Sequence, residues 1–305
     1  MIVVTSGEKY VDIDALACAV AYQELLNLEG KDSVVVFPGI LNHSISPIVK
    51  KQSYSVEKKI PEQVDGYVVV DVSEPDHVAS FVIPEKVKEI YDHHYGFRNF
   101  WEEKIGLENV HIEMIGACAT LIWEAFKKRD KDQQISTSSA NLLSFAIISN
   151  TFNLTSPLTH QKDVSAFNEL EQYTDLPSNW KEVYYNEQEQ FIYENPIKAV
   201  TDDTKIQDIP QLKQSLVIGQ IELWDGSNFI EEHLEDIQTS LRQHNNPCWM
   251  INIPSISEGK NYIYSENSTV KELIEDVTNC SFEGNTCVTD RLILRKEILK
   301  GLYNS

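Results

Sequence analysis

The sequence VKEIYDHH occupies residues 87–94 and combines a strand-like apolar run with a carboxylate and two imidazoles. Two other strand-like runs also lead to carboxylates: residues 1–5 precede a loop with two aspartates, and residues 67–70 precede a third aspartate. A parallel α/β sheet places its ligand crevice at the carboxyl ends of its strands. We therefore expect these three segments, which are far apart in the chain, to meet at one edge of a sheet.

The polar groups at these strand ends have the chemistry of a metal site. They comprise four carboxylates and two imidazoles, from Asp12, Asp14, Asp71, Asp92, His93 and His94. Such groups would repel one another at close range unless divalent cations lay between them. A hydrolytic site with two metal ions is therefore the leading hypothesis.

Strand-like and helix-like runs alternate through the N-terminal part of the chain. Small and apolar residues recur at helical spacing in residues 14–28, a β-branched run follows at 33–37, and residues 119–128 and 138–149 have helical patterns. Such alternation predicts βαβ units. The fold class is therefore predicted as α/β, with a Rossmann-like, mostly parallel sheet.

The length of 305 residues allows two domains with separate cores. A polar and aromatic run at residues 187–194 is followed by Pro196 and suggests a boundary. We predict a first domain over residues 1–187, a linker over residues 188–196 and a smaller α/β domain over residues 197–305.

The composition limits the classes of function. Apolar residues make up 42% and charged residues 24% of the chain, which is typical of a soluble globular protein. No apolar run approaches the ~20 residues that span a bilayer, and no signal-peptide pattern is visible, so we predict a cytoplasmic protein without membrane contact. The net charge of -21 argues against nucleic acid as a partner, and a polyanionic substrate would need metals or a few placed cations.

The five cysteines form an odd set without the close spacing of metal ligands. Cys18 and Cys118 lie in apolar, helix-like contexts and are predicted to be buried. Cys280 and Cys287 could pair, but we expect all five cysteines to be reduced, as is usual in the cytoplasm.

Several short motifs identify a family that the chain resembles. They are GEKYVDID at 7–14, the strand-end Asp71, DHH at 92–94, GACAT at 116–120, and SNT at 149–151 with SPLTHQKD at 156–163. With them the chain resembles the DHH phosphoesterase superfamily, and more narrowly the branch of family II (manganese-dependent) inorganic pyrophosphatases and related exopolyphosphatases. DTK at 203–205 and LRKE at 294–297 resemble the phosphate-binding motifs of the family's C-terminal DHHA2 domain.

For the N-terminal residues the resemblance implies two divalent cations, Mn²⁺ first, with Mg²⁺ or Co²⁺ as alternatives. Asp12 would bind one ion, Asp14 and His93 the other, and Asp71 both, while His94 would contact substrate or support the cluster. Carboxylates suit Mn²⁺ or Mg²⁺, and imidazole favours Mn²⁺. A hydroxide between two ions ~3.5–4 Å apart would be the nucleophile at neutral pH.

The resemblance also implies a substrate and an assembly. Lys205, Arg295 and Lys296 would reach across an interdomain cleft, which would hold the active site, to the departing phosphate. The implied reaction is hydrolysis of pyrophosphate to two phosphates, and the implied assembly is a homodimer.

Two residues depart from the family pattern. Glu8 stands where the family has a histidine, and Asn150 stands where it has an aspartate, so the net charge of the implied ligand set is unchanged. Because Asp12, Asp14 and Asp71 are all present, we favour a retuned metal site over an inactive one.

Three other readings stay open at this point. An exopolyphosphatase acting on short polyphosphates would share the scaffold, and a non-catalytic protein that binds metal or phosphate would explain the two departures. A nucleic-acid phosphodiesterase of the same superfamily is disfavoured, because its glycine-rich element is missing: the chain contains no Gly-Gly pair.

Each candidate residue taken alone also has a structural explanation. Asp12 and Asp14 could begin a helix, and Asn150 could end one. Glu8 and Lys205 could be solvent-facing loop residues. Arg295 and Lys296 could belong to the basic end of an amphipathic C-terminal helix.

Glu8 exchanges a nitrogen ligand for an oxygen ligand, which should weaken selection for transition metals. We therefore expect the ratio of activity with Mg²⁺ to activity with Mn²⁺ to be higher in the unsubstituted protein than in the Glu8→His variant. Titrating activity with each metal for both proteins measures this ratio. Undiminished dependence on Mn²⁺ with inert Mg²⁺ in the unsubstituted protein would contradict the expectation.

Overall fold

The computed structural model describes residues 1–304 and divides into two compact units. The first unit comprises Met1–Leu154 and Leu158–Tyr184, and the second comprises Thr155–Pro157 and the chain from Tyr185 onward. Each unit has its own five-stranded sheet. The two units are therefore described separately.

The first unit alternates strands and helices, as the sequence predicts. Its strands are β1 (Ile2–Thr5), β2 (Tyr10–Val11), β3 (Ser33–Val35), β4 (Ile40–Leu41), β5 (Gly66–Val70), β6 (Val87–Asp92) and β7 (Val110–Ile112). Its helices are α1 (Ile13–Leu28), α2 (Pro47–Lys50), α3 (Arg98–Ile105), α4 (Cys118–Lys128), α5 (Thr137–Asn150) and α6 (Gln161–Leu170). A further helix, α7 (Trp180–Glu194), begins in this unit.

The main sheet of the first unit is entirely parallel, which confirms the predicted fold class. Its strand order is β3-β1-β5-β6-β7, and every neighbouring pair runs in the same direction. The order makes β1, β5 and β6 direct neighbours, so their carboxyl ends lie side by side. These are the three strands that the sequence analysis placed before the acidic and imidazole groups.

Continuous apolar runs explain why these strands occupy the middle of the sheet. All five residues of β5, GYVVV, are buried, as expected for a strand that is covered on both faces. Helix α1 is also apolar around most of its circumference, and it packs against α4 and α5 as well as the sheet. A helix with apolar residues all round is stable only when it is enclosed in this way.

The second unit is a mixed α/β structure. Its strands are β8 (Thr204–Gln207), β9 (Leu216–Gln220), β10 (Trp249–Ser255), β11 (Lys260–Tyr264) and β12 (Thr286–Val288), in the order β12-β11-β10-β9-β8. Only β9 and β10 are parallel. Its helices are α8 (Pro196–Asp202), α9 (Phe229–Glu232), α10 (Leu234–Arg242), α11 (Ser268–Thr278) and α12 (Arg295–Asn304).

Alternating side chains of this second sheet build two apolar clusters, one on each face. Val217 and Ile251 belong to one cluster, while Leu216, Ile218 and Met250 belong to the other. This period of two is the pattern of a strand with helices on both sides.

The residues predicted to form a linker are largely helical. Helix α7 continues to Glu194 and α8 begins at Pro196, so almost the whole range 188–196 has regular structure. The division between the compact units falls between Tyr184 and Tyr185, within α7. The assignment of residues 1–187 and 197–305 to two separate domains stays a prediction.

One expectation about the cysteines is wrong. Cys280 and Cys287 are joined by a disulfide, whereas Cys18, Cys118 and Cys248 are free. Asn279, the C-cap of α11, has a left-handed backbone, and Cys280 directly after it lies in the same buried apolar cluster as Cys287 of β12. The expectation of reduced cysteines came from the redox state of the cytoplasm, which says nothing about how closely Cys280 and Cys287 approach each other. None of the helices in residues 1–304 has the length and apolar character needed to cross a bilayer.

Trp101 anchors α3 to one face of the parallel sheet. Its ring is 1% exposed within a cluster that includes Val69 and Ile90, and its Nε1 donates a hydrogen bond of 2.7 Å to the Ser73 carbonyl. Trp101→Ala should therefore lower the free energy of unfolding by ~3–5 kcal/mol, measured by urea denaturation. The control Tyr95→Ala removes an 86% exposed ring and should change it by less than ~0.5 kcal/mol. Equal effects of the two variants would contradict this assignment.

Candidate metal centre

The acidic and imidazole groups converge at the carboxyl edge of the parallel sheet. Asp12 is the N-cap of α1, and its Oδ1 accepts a hydrogen bond of 2.9 Å from the Ala15 amide. Asp14 lies in the first turn of α1, Asp71 directly follows β5, and His93 directly follows β6. The start of α1 and the ends of β5 and β6 thus bring together side chains from three distant parts of the sequence.

The closest contacts within this group involve His93. Its Nε2 lies 3.4 Å from Oδ1 of Asp71 and 3.7 Å from Oδ2 of Asp14. Asp71, His93 and His94 each offer one possible ligand atom, and these atoms all lie within 4.8 Å of one another. Asp12 is near enough that its charge raises the pKa of Asp14 and of Asp71. We call Asp12, Asp14, Asp71 and His93 the acidic cluster.

Main-chain amides at the start of α4 hold Asp14 in place. Its Oδ2 accepts a hydrogen bond of 2.8 Å from the Cys118 amide, and its Oδ1 accepts one of 2.9 Å from the Ala119 amide. The Cys18 thiol donates to the same Oδ1 at 3.3 Å. Because a helix N-terminus carries partial positive charge, it suits a carboxylate that is 0% exposed.

A main-chain carbonyl determines which ring nitrogen of His93 can act as a ligand. Nδ1 lies 3.1 Å from the Ile115 carbonyl oxygen, which can only accept a hydrogen bond. In the neutral ring Nδ1 therefore carries the hydrogen, and Nε2 presents its lone pair to Asp71 and Asp14. This carbonyl-to-imidazole arrangement is the usual one behind a metal-bound histidine.

Asp71 combines an unusual backbone conformation with a buried carboxylate oxygen that forms no hydrogen bond to the described residues. Its backbone has a φ of 58°, a left-handed conformation that is uncommon outside glycine, and its amide donates to the Tyr91 carbonyl beyond the end of β5. Its Oδ1 is buried and has no hydrogen-bond partner within residues 1–304. Burial raises its pKa well above the usual value, and the charges of Asp12 and Asp14 raise it further.

These observations fit a divalent cation. Oδ1 of Asp71 and Nε2 of His93 are both acceptors in contact, and burial also raises the pKa of Asp14, so only a proton or a cation relieves the repulsion. A donor set of carboxylate oxygens with one imidazole nitrogen suits Mg²⁺ or Mn²⁺. Asp14, Asp71 and His93 are therefore the residues that could hold such an ion.

His94 lies beside this cluster and is oriented by Asp92. Its Nδ1 is 2.8 Å from Oδ1 of Asp92, whose carboxylate also accepts the His94 amide at 3.2 Å. Burial of Asp92 opposes ionisation, but its hydrogen bonds, led by that from His94, lower its pKa below the usual value. The imidazole is 62% exposed, so Nε2 of His94 is available to a ligand from solvent.

Glu8 and Asn150 are bonded to nearby main-chain groups. Oε2 of Glu8 accepts a hydrogen bond of 2.6 Å from the Ser80 amide, and Nδ2 of Asn150 donates one of 3.2 Å to the Ala146 carbonyl. Within residues 1–304 neither side chain has a hydrogen bond to the acidic cluster. Their roles as metal ligands stay predictions.

In the second unit, the two predicted phosphate-binding motifs are adjacent. Arg295 donates hydrogen bonds of 2.6 Å to both the carbonyl and Oδ1 of Asp203, which joins the start of α12 to the start of β8. Lys205 on β8 and Lys296 in the first turn of α12 are exposed. The structure thus places the three cations of Lys205, Arg295 and Lys296 in one region, while their phosphate-binding role stays a prediction.

The sequence analysis missed the groups that hold the candidate ligands. These are the Ile115 carbonyl, the amides of Cys118 and Ala119, and the buried carboxylate of Asp163. Main-chain groups have no signature in a side-chain pattern. The motifs GACAT and SPLTHQKD were the available signal, because they contain three of these residues.

Comparison with known proteins agrees with the fold and with the resemblance seen in the sequence motifs. Residues 2–147 match the DHH family, N-terminal domain. A probable manganese-dependent inorganic pyrophosphatase from Lactobacillus delbrueckii subsp. bulgaricus is 31% identical over 167 residues, which are 54% of this chain and 52% of that protein. Another from Lactiplantibacillus plantarum is 28% identical over 178 residues, 56% of this chain and 54% of that protein. The chain spans about half the length of the curated relatives that it matches.

Two solved structures are similar along most of the chain. A putative family II inorganic pyrophosphatase from Methanococcus jannaschii has a TM-score of 0.57 and 21% identity, covering 100% of both chains. An exopolyphosphatase-related protein from Bacteroides fragilis has a TM-score of 0.55 and 12% identity, covering 99% of this chain and 90% of that one. At these identities the likeness shows the fold alone.

The raised pKa values of Asp14 and Asp71 have a consequence for stability. In the metal-free protein both carboxyls bind protons more readily when folded than when unfolded, where the value is about 3.8. Their contribution to the free energy of unfolding is therefore fully present below the pKa of the unfolded chain. It is lost as the pH rises through the pKa of the folded protein. We expect Asp71→Asn to raise the Tm of the metal-free protein at pH 7.5, because asparagine replaces a carboxyl whose ionised form is disfavoured by burial and by the charges of Asp12 and Asp14.

The same variant should lose the stabilisation that Mn²⁺ provides. For the unsubstituted protein, Mn²⁺ at a hundred times its Kd should raise the Tm by roughly 5–10 °C, and for Asp71→Asn by far less. Calorimetry with and without Mn²⁺ measures both effects. Asp130→Asn is the matched control, because Asp130 is exposed and also has a left-handed backbone, with a φ of 53°. A lowered Tm of metal-free Asp71→Asn, or an undiminished gain from Mn²⁺, would contradict the prediction.

Proposed function

We propose that this chain, whose residues 2–147 form a DHH family N-terminal domain, hydrolyses pyrophosphate to two phosphates with the help of divalent cations. The observation that carries the proposal is the buried, unpartnered Oδ1 of Asp71 in contact with Nε2 of His93. Similarity to manganese-dependent inorganic pyrophosphatases, at 31% and 28% identity, supports both the reaction and Mn²⁺ as the preferred ion.

We propose that Asp14, Asp71 and His93 hold one ion and that Asp12 and Asp71 contribute to a second. When bound, these cations supply charge stabilisation for a phosphoryl group and an activated water. The chain itself contributes the orientation of the ligands: the amides of α4 hold Asp14, and the Ile115 carbonyl keeps Nε2 of His93 free of hydrogen.

His94 is the residue that we assign to substrate contact. Asp92 holds its Nδ1, so Nε2 is the atom that can exchange a hydrogen bond or a proton with a phosphate oxygen. An exposed imidazole beside a buried cluster is suitably placed for a ligand that arrives from solvent.

We assign Lys205, Arg295 and Lys296 to binding of phosphate oxygens. Planar guanidinium groups bind phosphate with two parallel hydrogen bonds, and ammonium groups bind it as point charges. Arg295 shares its charge with Asp203, which would keep the arginine extended before substrate binds. The DHHA2-like identity of this second unit belongs to the same proposal.

We propose a homodimer on the basis of the family resemblance, and the cytoplasmic location stays a prediction from the sequence. Light scattering after gel filtration measures the oligomeric state directly. The net charge of -21 supports a small anion bound through metals over a nucleic acid as the substrate.

A phosphate-release assay with pyrophosphate, tripolyphosphate and longer polyphosphate tests the reaction. We expect pyrophosphate to be the best substrate in the presence of Mn²⁺. Groups around a metal ligand typically contribute about 10–100-fold, so loss of a ligand in Asp71→Asn should cost more than about 100-fold in activity.

The same assay separates the alternatives. Faster release from tripolyphosphate would favour a short-chain exopolyphosphatase, to which the exopolyphosphatase-related neighbour gives weak support. Release only from the double variant Glu8→His with Asn150→Asp would favour a non-catalytic scaffold that has lost two ligands. No phosphate from any substrate or variant would rule out the proposed reaction.

A further inference from the structure

We propose that Asp163 is a positioning residue for the acidic cluster, which it reaches through the loop between β7 and α4. We call this loop, residues 113–117, the clamp loop. The inference rests on the proposed metal-binding role of the cluster and deepens it. It assigns to a carboxylate outside the cluster the task of keeping two of the ligands, Asp14 and His93, in their binding geometry.

Asp163 is a buried carboxylate with only neutral partners. It is 0% exposed and lies in the first turn of α6. Its Oδ2 accepts hydrogen bonds from the amides of Gly116 at 2.8 Å and His160 at 2.7 Å. Its Oδ1 accepts from the Thr120 hydroxyl at 2.6 Å and the Ala117 amide at 3.3 Å.

Among residues 1–304 this carboxylate forms no ion pair. Burying a charge without a counter-charge is costly unless hydrogen bonds satisfy it, and here two oxygens share four donors. Three of the four donors belong to the clamp loop or the first turn of α4, namely Gly116, Ala117 and Thr120. The carboxylate therefore fixes the path of the chain at the point where β7 is connected to α4.

That same segment holds two candidate metal ligands. Immediately before Gly116, the Ile115 carbonyl lies 3.1 Å from Nδ1 of His93. Immediately after Ala117, the amides of Cys118 and Ala119 bind Asp14 at 2.8 and 2.9 Å. The residues bound by Asp163 are thus interleaved with the residues that hold the cluster.

A glycine allows the carboxylate to reach the clamp loop. A Cβ atom on Gly116 would lie 2.6 Å from Oδ2 of Asp163 and 2.6 Å from Cγ2 of Thr151. Neither neighbour has room to withdraw, since both are buried. Gly116→Ala should therefore displace the clamp loop from Asp163, which provides a second way to break the same connection.

Loss of the connection should weaken metal binding without removing any ligand. With the clamp loop released, the Ile115 carbonyl no longer fixes the hydrogen on Nδ1 of His93, and the α4 amides no longer fix Asp14. Groups that orient metal ligands typically contribute about 10–100-fold to metal affinity. We expect Asp163→Asn to raise the Kd for Mn²⁺ by about that factor, because its amide offers one acceptor where the carboxylate offers two.

Calorimetric titration of the full chain with Mn²⁺, in the absence of substrate, tests the inference. Glu24→Gln is the matched control, because Glu24 also accepts hydrogen bonds at a helix start, from the Ser136 amide and the hydroxyls of Ser136 and Ser139. It has no hydrogen bond to the clamp loop. We expect this control to lower the Tm while leaving the Kd for Mn²⁺ unchanged.

Thr120 provides a milder pair of variants in case Asp163→Asn does not fold. Thr120→Val removes the hydroxyl that donates to Asp163 at nearly constant volume, whereas Thr120→Ser retains it. We expect the valine variant to bind Mn²⁺ several-fold more weakly than the serine variant. Imidazole ¹⁵N shifts of the metal-free proteins give an independent readout, since only the intact clamp loop keeps the hydrogen of His93 on Nδ1.

The outcomes distinguish this inference from the proposed function. If the unsubstituted protein binds Mn²⁺ and folded Asp163→Asn or Thr120→Val binds it equally well, the positioning role is overturned and the proposed function stands. If Glu24→Gln and Asp163→Asn lower the Tm equally and also weaken Mn²⁺ binding equally, general destabilisation explains the effect. The inference is then also overturned. If the unsubstituted protein binds no Mn²⁺, both proposals fail.

Discussion

Repulsion among buried acceptor atoms is the constraint on which the rest of the first unit depends. Oδ1 of Asp71 and Oδ2 of Asp14 lie 3.4 and 3.7 Å from Nε2 of His93, and burial raises the pKa of both carboxyls. A fold gains nothing in stability from this arrangement by itself. The arrangement becomes favourable when a cation binds, because the preorganised ligands then need no rearrangement.

The parallel sheet makes this arrangement possible, because its central strands all end at the same edge. β1, β5 and β6 are neighbours in the sheet although they are widely separated in sequence. Their apolar runs stabilise the interior through burial of hydrophobic area, and the polar residues that follow lie just beyond it. The left-handed backbone of Asp71 is tolerated for the same reason, since the surrounding structure determines it.

Hydrogen bonds to main-chain groups give the cluster its orientation. The start of α4 binds Asp14, the Ile115 carbonyl binds His93, and Asp163 binds the segment between these two contacts. The second unit shows a comparable use of charge, where Arg295 is held by Asp203 next to two exposed lysines. In both units a side chain that could bind an anion or a cation is held by a partner that fixes its direction.

Much of this architecture was predictable from the order of residues, since hydrophobic period and strand-end chemistry are local properties. The α/β class, the parallel sheet and the gathering of Asp14, Asp71 and His93 follow from apolar runs that end in acids and imidazoles. The helical character of residues 188–194 and the pairing of Cys280 with Cys287 did not follow, because each depends on where a later segment returns.

The contacts of Glu8 and Asn150, and the role of Asp163, required the folded chain. A motif assigns a residue type to a position, but it does not say whether the side chain bonds to a neighbouring amide or carbonyl. Asp163 accepts hydrogen bonds from main-chain amides 46 and 47 residues away and from the Thr120 hydroxyl 43 residues away, and no local sequence pattern records such pairings. Residue order therefore specifies which chemical groups are present and which edge they reach. Three-dimensional packing determines which of them are held, by what, and in which direction.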